Sequence, residues 1–450
     1  MPLMPWLIFL STAMSTSSSG PRFPFDSLAM RAGRVLLLLV AASTSFGLYS
    51  LQKQPALPAT PSAASATTSS QDSKEPTAAD FVRRGDDLMQ LQRESNVSRL
   101  YDLAEKEYRA ALSLDSKHVE AILGLAWVSS SRHQFAKACD YAREALAIHP
   151  KLQGAYSLLA DAAVELGDYE AAFQHCQTAL DLGPNLTTYS RAAHLLWLTG
   201  DPHEAQLLMH KAIKAGGTRP EHTAWCRVEL AQMHLHAGDL DQAEQQAILA
   251  FNAVPRHPRM LITMGRIKAA QQDFKAAEQF FTSALKSEPS HDALFALGEL
   301  QLVQNKPEEA ERTFQRLIQM HTLDLSHPAQ LARFYADHDR QLPDALAAAE
   351  AAHRESNSIY VLDTLAWCLH KNGRHEKARR IIEAALKWKT PDATIHYHAG
   401  MIYAQLGEKD AARHHLKQAL QLNPHFSPFA APIARKELAR EQIATAEDLQ

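Results

Sequence analysis

An all-α array of about ten stacked helix–turn–helix units, closed by a C-terminal helix, is what this 450-residue sequence predicts. Three observations carry that prediction. Alanine recurs at Ala104, Ala138, Ala172, Ala205, Ala243, Ala277, Ala310, Ala345, Ala378 and Ala412, at spacings of 34, 34, 33, 38, 34, 33, 35, 33 and 34 residues. Seven residues after each comes another small or apolar residue, from Ala111 through Leu317 to Ala419. Twelve residues before each, from the second copy on, a small residue stands in eight of nine copies: Ala126, Ala160, Ala193, Ala231, Gly265, Gly298, Ala366 and Gly400. Small residues in a fixed phase mark places where two helices cross closely, with larger apolar neighbours interlocking around them.

The chain begins differently. Residues 1–34 read as a targeting segment, in which Met30, directly before Arg31, is the more conventional start and would leave residues 1–29 untranslated. Arg31 and Arg34 precede an apolar run, residues 35–51, in RVLLLLVAASTSFGLYSLQ. A positive flank ahead of an apolar stretch is the layout of a signal peptide or a membrane anchor. At 1.5 Å per residue the run only just crosses a hydrocarbon core of about 30 Å. Small residues around Ser43–Ser45 offer a cleavage site, so both readings stay open. Positive charge lies mainly before the run, which predicts export of everything after it. Residues 52–80 are dominated by Pro, Ala, Ser and Thr and nearly lack large apolar side chains. Such a segment buries too little surface to offset its ordering entropy and should be a disordered tether.

The array proper is expected over residues 81–424. Gly167-Asp168, Gly200-Asp201, Gly238-Asp239, Gly373 and Gly407 provide a residue tolerant of positive φ at the end of a first helix. Prolines at Pro150, Pro184, Pro255, Pro289 and Pro424 stop second helices. Three places depart from the pattern. The first copy has a clear second helix in YDLAEKEYRAALSL, a first helix expected over Phe81–Arg93, and ESNVSRL as a longer turn between them. Lys214–His222 is an insertion, expected to bend or loosen the array. The eighth copy has Asp337-His338-Asp339-Arg340 in place of a glycine turn and Arg333 in place of the small residue. Residues 425–450 form a cap and tail, with Ile433 and Leu438 covering the last copy and Lys436, Glu437, Arg440 and Glu441 facing water.

Together these residues resemble the tetratricopeptide-repeat family over roughly Asp80–Pro424. The resemblance implies a right-handed superhelix, an α-solenoid, with one concave groove lined by the first helix of each unit. It places Trp127, Asp161, His194, Trp197, Trp225, Arg266, Glu299, Arg333, Tyr360, Asp363, Trp367 and Tyr397 in that groove. Four of the six tryptophans are among them. An aromatic-lined trough with isolated charges suits an extended or helical peptide, since buried Trp, Tyr and Arg anchors each contribute about 2 kcal/mol or more. The competing reading is that the rings pack between successive first helices. Chaperone-tail binders in the family clamp a terminal carboxylate with Lys and Asn; the corresponding positions here hold Leu123, Trp127, Ser157 and Asp161, which argues against such a clamp.

Composition removes other functions. Lys and Arg total 46 against 50 Asp and Glu, a formal net charge of −4, without the basic stripe a nucleic-acid binder needs. The four cysteines, Cys139, Cys176, Cys226 and Cys368, are scattered and form neither a disulfide framework nor a zinc ribbon. None of the 23 histidines has a partner three or four residues away, the spacing that chelates from one helical face. No metal, cofactor or catalytic residue is expected, and the repeats leave no length for a separate catalytic domain. The sequons at Asn96 and Asn185 matter only in a host that glycosylates exported chains.

The leading expectation is a non-catalytic, exported scaffold that binds proteins in its groove and helps assemble a cell-envelope or secretion complex. The segment YVLDTLAWCLHKNGRHEKARRIIEAAL is similar to the corresponding repeats of bacterial envelope scaffolds. A carrier or sensor holding a polysaccharide against the same rings is the alternative. A cytoplasmic regulatory adaptor is a third, should the apolar run be no working signal.

Overall fold

The computed structural model describes residues 75–95, 99–217, 220–255, 257–287, 289–323 and 328–448. The targeting segment, the apolar run and nearly all of the tether lie outside the described residues, and no described helix is long and apolar enough to cross a membrane. The described residues form twenty-one helices and no strand. The hairpins are α1 (Ala78–Ser95) with α2 (Arg99–Leu114), α3 (Val119–Ser131) with α4 (Phe135–Ile148), α5 (Gln153–Leu166) with α6 (Tyr169–Leu182), α7 (Leu186–Leu198) with α8 (Pro202–Ala215), and α9 (Pro220–His236) with α10 (Leu240–Ala253). They continue as α11 (Pro258–Ala270) with α12 (Phe274–Ser287), α13 (His291–Val303) with α14 (Pro307–Leu323), α15 (Pro328–Asp337) with α16 (Leu342–Glu355), α17 (Ile359–Lys371) with α18 (His375–Leu386), and α19 (Ala393–Gln405) with α20 (Lys409–Leu422). The cap is α21 (Ala430–Asp448).

The periodic residues do the packing expected of them. All ten alanines of the second-helix register are fully buried. Where the first helix carries glycine, the second helix fills the space with a large side chain. A methyl group on Gly265 would lie 2.4 Å from the Phe281 ring, and one on Gly298 would lie 2.2 Å from the Phe314 ring. Size is therefore matched pair by pair across each hairpin.

One turn geometry joins the helices of nine copies. His133, Gly167, Gly200, Gly238, Gln272, Asn305, Asp339, Gly373 and Gly407 all have φ between 52° and 82°. In each case the next residue's N–H returns to the carbonyl five residues back, as in Asp168 to Ala163 and Arg340 to Tyr335, both 2.8 Å. This is the Schellman closure. Where aspartate follows, it also caps the second helix: Asp168, Asp201, Asp239 and Asp273 accept the N–H of Ala171, Glu204, Gln242 and Ala276.

The irregular copies resolve simply. In the eighth, Ala332 keeps its place seven residues before the positive-φ Asp339 and is fully buried; the extra residue sits in the turn, where Gln341 has φ 40°. Arg333 is thus in phase. In the first copy α1 runs on to Ser95 and α2 starts at Arg99, so both ends of the longer turn expected from ESNVSRL are helical; residues 96–98 lie outside the described residues. Of the insertion, residues 220–222 open α9, which starts at Pro220 and is 17 residues long. A methyl on Gly216 would meet Thr223 Oγ1 at 2.5 Å, one on Gly217 would meet nothing within 4 Å, and residues 218–219 lie outside the described residues. On α21, Ala431 and Ala434 make the buried contact, whereas Ile433, expected to cover the last copy, is 37 % exposed.

The array also touches itself across distant copies. The α5–α6 turn meets the loop between α16 and α17: Asn357 N–H and Ser356 Oγ donate to the Glu165 carbonyl at 2.7 and 2.9 Å, and Ile359 N–H donates to the Tyr169 hydroxyl at 3.1 Å. The α7–α8 turn meets the loop after α18, where Thr390 Oγ1 donates to the Leu198 carbonyl. The α9–α10 turn meets the loop after α20, where Asn423 Nδ2 donates to the Leu235 carbonyl at 2.7 Å. The turn of α11–α12 lies beside the start of the cap, Gln272 and Phe274 sharing a small cleft with His425, Pro428 and Arg435.

Candidate functional site: the first-helix face

Seven of the residues placed in the groove occupy one structural register. Trp127, Asp161, His194, Arg266, Glu299, Arg333 and Trp367 each stand six residues before the positive-φ residue of their own turn. The register is shared, but the side chains meet different fates along the array.

In the second to fourth copies the face is open. A cleft of about 340 Å³ is bounded by Trp127, Gln153, Ser157, Asn185, Thr187 and Arg191. Arg191 Nε donates to both oxygens of Asp161 at 3.0 and 2.8 Å, and its guanidinium lies 5.7 Å from the Trp127 ring centre. Asn185 caps α7 and donates through Nδ2 to Gln153 Oε1 at 2.8 Å, fixing the cleft floor. His194 is exposed. Further on, Trp225 is 40 % exposed, with Arg259 stacked 3.8 Å from its ring centre and tied to Glu229 at 2.8 Å. Arg266 pairs with Asp292 at 3.2 Å.

In the eighth to tenth copies the same face is filled. Arg333 donates to Asp337 at 2.7 Å and Asp363 at 3.2 Å, and His398 Nδ1 lies 2.8 Å from Asp363. Trp367 donates its indole N–H to Asp337 at 2.8 Å and stacks on His398, ring centres 4.3 Å apart. His398 is fully buried, while Asp363, Trp367 and Tyr397 are 2–5 % exposed. Burial works to raise the Asp363 carboxyl, but His398 and Arg333 outweigh it and hold its pKa below the usual value. Burial opposes the charge on Arg333 as well, and Asp337 and Asp363 overcome it. Glu299 is the unbalanced member: burial, then Asp337, pushes its pKa up to about 8, against the pull of Arg333 and Arg266. The histidine facing it, His338, is packed among Phe295, Phe314, Phe334 and Phe429, and burial lowers its pKa to about 4.

Two more expected groove residues meet each other. Trp197, of α7, is 4 % exposed, and its indole faces the hydroxyl of Tyr360, of α17. Trp197, Trp367 and Tyr397 are therefore buried, whereas Trp127, Asp161, His194, Trp225 and Tyr360 keep accessible surface, Tyr360 being 41 % exposed. The sequence reading did not single out Arg191, Asp337 or His398. Arg333-x-x-x-Asp337 is a readable i,i+4 ion pair; the other two find partners 30 and 35 residues away.

Histidines pair between helices and not along them: His291 with His321 at 2.8 Å and His396 with His415 at 3.0 Å. Among the described residues no three His, Cys, Asp or Glu side chains converge as a metal cage would. The four cysteines are buried and unpaired.

Family models for the tetratricopeptide repeat match residues 132–186 and 262–324, 224–247, 359–391 and 393–426. These stretches of the chain carry tetratricopeptide repeats. It is 25 % identical over 268 residues to DnaJ homolog subfamily C member 3 of Gallus gallus, covering 54 % of this chain and 48 % of that one. The chain thus spans about half the length of the curated relatives it matches. Among solved structures, yeast Tom70 aligns over 82 % of this chain and 96 % of its own at 15 % identity and a TM-score of 0.33. Pseudomonas aeruginosa pilF aligns over 46 % and 94 % at 18 % identity and a TM-score of 0.38. Such repeat scaffolds are typical of adaptors between proteins.

Proposed function

We propose that this protein is a non-catalytic scaffold that recruits protein or peptide partners on the first-helix face of its second to fifth copies. The observation that supports the reading most is the open cleft lined by Trp127 and Arg191, together with the exposed Trp225 of the fifth copy. These aromatic surfaces are already backed by guanidinium groups, as hot-spot anchors commonly are. Asp161 neutralises Arg191, so the cleft suits an apolar or aromatic peptide side chain better than a free carboxylate. The arginines before the apolar run and the tether after it support export and a role in assembling an envelope or secretion complex.

Crosslinking in the native cell, read by mass spectrometry, tests this reading. Trp127→Ala and Trp225→Ala should each remove the same set of protein partners while leaving the helical circular dichroism intact. Unchanged partners in both variants would reject the site. Recovery of the full chain from cytosol with an intact N-terminus would reject export.

A further inference from the structure

The contacts between distant copies carry an inference of their own. Three consecutive turns, those of α5–α6, α7–α8 and α9–α10, dock on three consecutive loops, those after α16, α18 and α20. The turn backbones are pressed so closely that side chains are excluded. A methyl on Gly167 would stand 2.9 Å from the Asn357 carbonyl oxygen, one on Gly200 would stand 2.9 Å from those of both Trp388 and Lys389, and one on Gly238 would stand 3.1 Å from that of Leu422. Gly373 and Gly407 have the same positive φ in the same turn, yet nothing lies within 4 Å of the added methyl. The turns of the second, sixth, seventh and eighth copies carry His133, Gln272, Asn305 and Asp339. Glycine at the three docking turns thus answers to a steric requirement beyond dihedral freedom. Tyr169 packs on Trp388 with ring centres 5.0 Å apart, Lys387 pairs with Glu170 at 3.9 Å, and His236 with Asp392 at 3.6 Å.

We infer that these three contacts form a latch that opens as a unit, and that the buried Trp197, which closure holds against Tyr360, becomes available to a polypeptide partner only when the latch is open. The second half of this inference rests on the proposed function; the first does not. The latch is built of a few hydrogen bonds between turns and loops, while the hairpins on either side are held by continuous buried cores, so it belongs to the low-stability end of the molecule. Its opening exposes Trp197, 4 % exposed in the closed array, beside Tyr360, which is already 41 % exposed, and it changes the groove without unfolding any copy.

The test compares Gly200→Ala with Gly373→Ala, which impose the same left-handed strain but differ in what the methyl strikes. Hydrogen exchange is read at the Asn357 and Ile359 amides, whose acceptors lie across the latch, and hydroxyl-radical footprinting is read at Trp197. Gly200→Ala should speed amide exchange about tenfold and raise Trp197 oxidation, and Gly373→Ala should do neither. Glu170→Cys with Lys387→Cys, bridged by a short bis-maleimide, should suppress both signals, the four native cysteines being buried. Should Gly200→Ala fail to fold, Ser356→Ala carries the same comparison. Equal behaviour of the two glycine variants overturns the latch whatever the partners are. Equal partner recovery by the bridged and unbridged double-cysteine protein overturns the gating and leaves the scaffold reading standing.

Discussion

The second to fourth copies and the eighth to tenth are built on one register, and they use it in opposite ways. At the front, Trp127 and Arg191 line an open cleft, Asp161 pairs with Arg191, and His194 is exposed. At the back, Arg333, Asp337, Asp363 and His398 form a closed electrostatic network roofed by Trp367. A groove position in a repeat array is therefore a place, not a role. The role is decided by what the neighbouring copies put against it.

The comparison predicts that substitutions at the back cost stability and those at the front cost binding. The largest effect is expected from Asp363→Ala, which takes from Arg333 one of its two carboxylate partners and leaves the fully buried His398 without its hydrogen-bond partner. Denaturant unfolding should show a loss of about 3–5 kcal/mol. A loss under 1 kcal/mol would mean that the network is solvated and the contrast between the two regions is false.

Glu299→Gln comes next, and its sign depends on pH. The folded-state carboxyl titrates near 8 against 4.5 for an unperturbed group, so the native protein keeps a proton that the unfolded chain has released. Stability should fall as pH rises from about 5 to about 8, by at most about 1.4 kcal/mol per pH unit. The glutamine variant should flatten that slope and be the more stable protein at pH 8. Equal slopes would place Glu299 in contact with solvent.

Trp127→Ala should give the smallest change in stability, within about 1 kcal/mol, because the ring is only partly covered. Partner recovery should nevertheless fall roughly tenfold or more. A stability loss matching that of Asp363→Ala would make the front as structural as the back.

The repeats were legible because each unit must set a small residue opposite a neighbour at one fixed spacing, and that requirement writes itself into the chain every 34 residues or so. The register was legible even at Arg333, once the added residue is placed in the turn after Asp339. The turn geometry was only half legible. Glycine announces a positive φ, but His133, Gln272, Asn305 and Asp339 adopt it silently because the six-to-one hydrogen bond compensates part of the strain. The filling of the groove at Trp367 and Tyr397 was not legible, since a tryptophan looks the same whether it faces a partner or Asp337. Nor was the latch. Its hydrogen bonds join groups 188–192 positions apart, and Gly200 and Gly373 are indistinguishable until the loop against one of them is seen.

The paired glycines and phenylalanines of the sixth and seventh copies limit how such a chain can be rebuilt. Gly265 admits Phe281 and Gly298 admits Phe314, whereas at the equivalent places α5 carries Ala160 and α6 the smaller Cys176, both buried. Grafting α5 in place of α11 would drive a methyl into an aromatic ring, and the reverse graft would leave a void. The units share a blueprint without being interchangeable parts, so recombination of this gene is workable at hairpin borders and penalised within them.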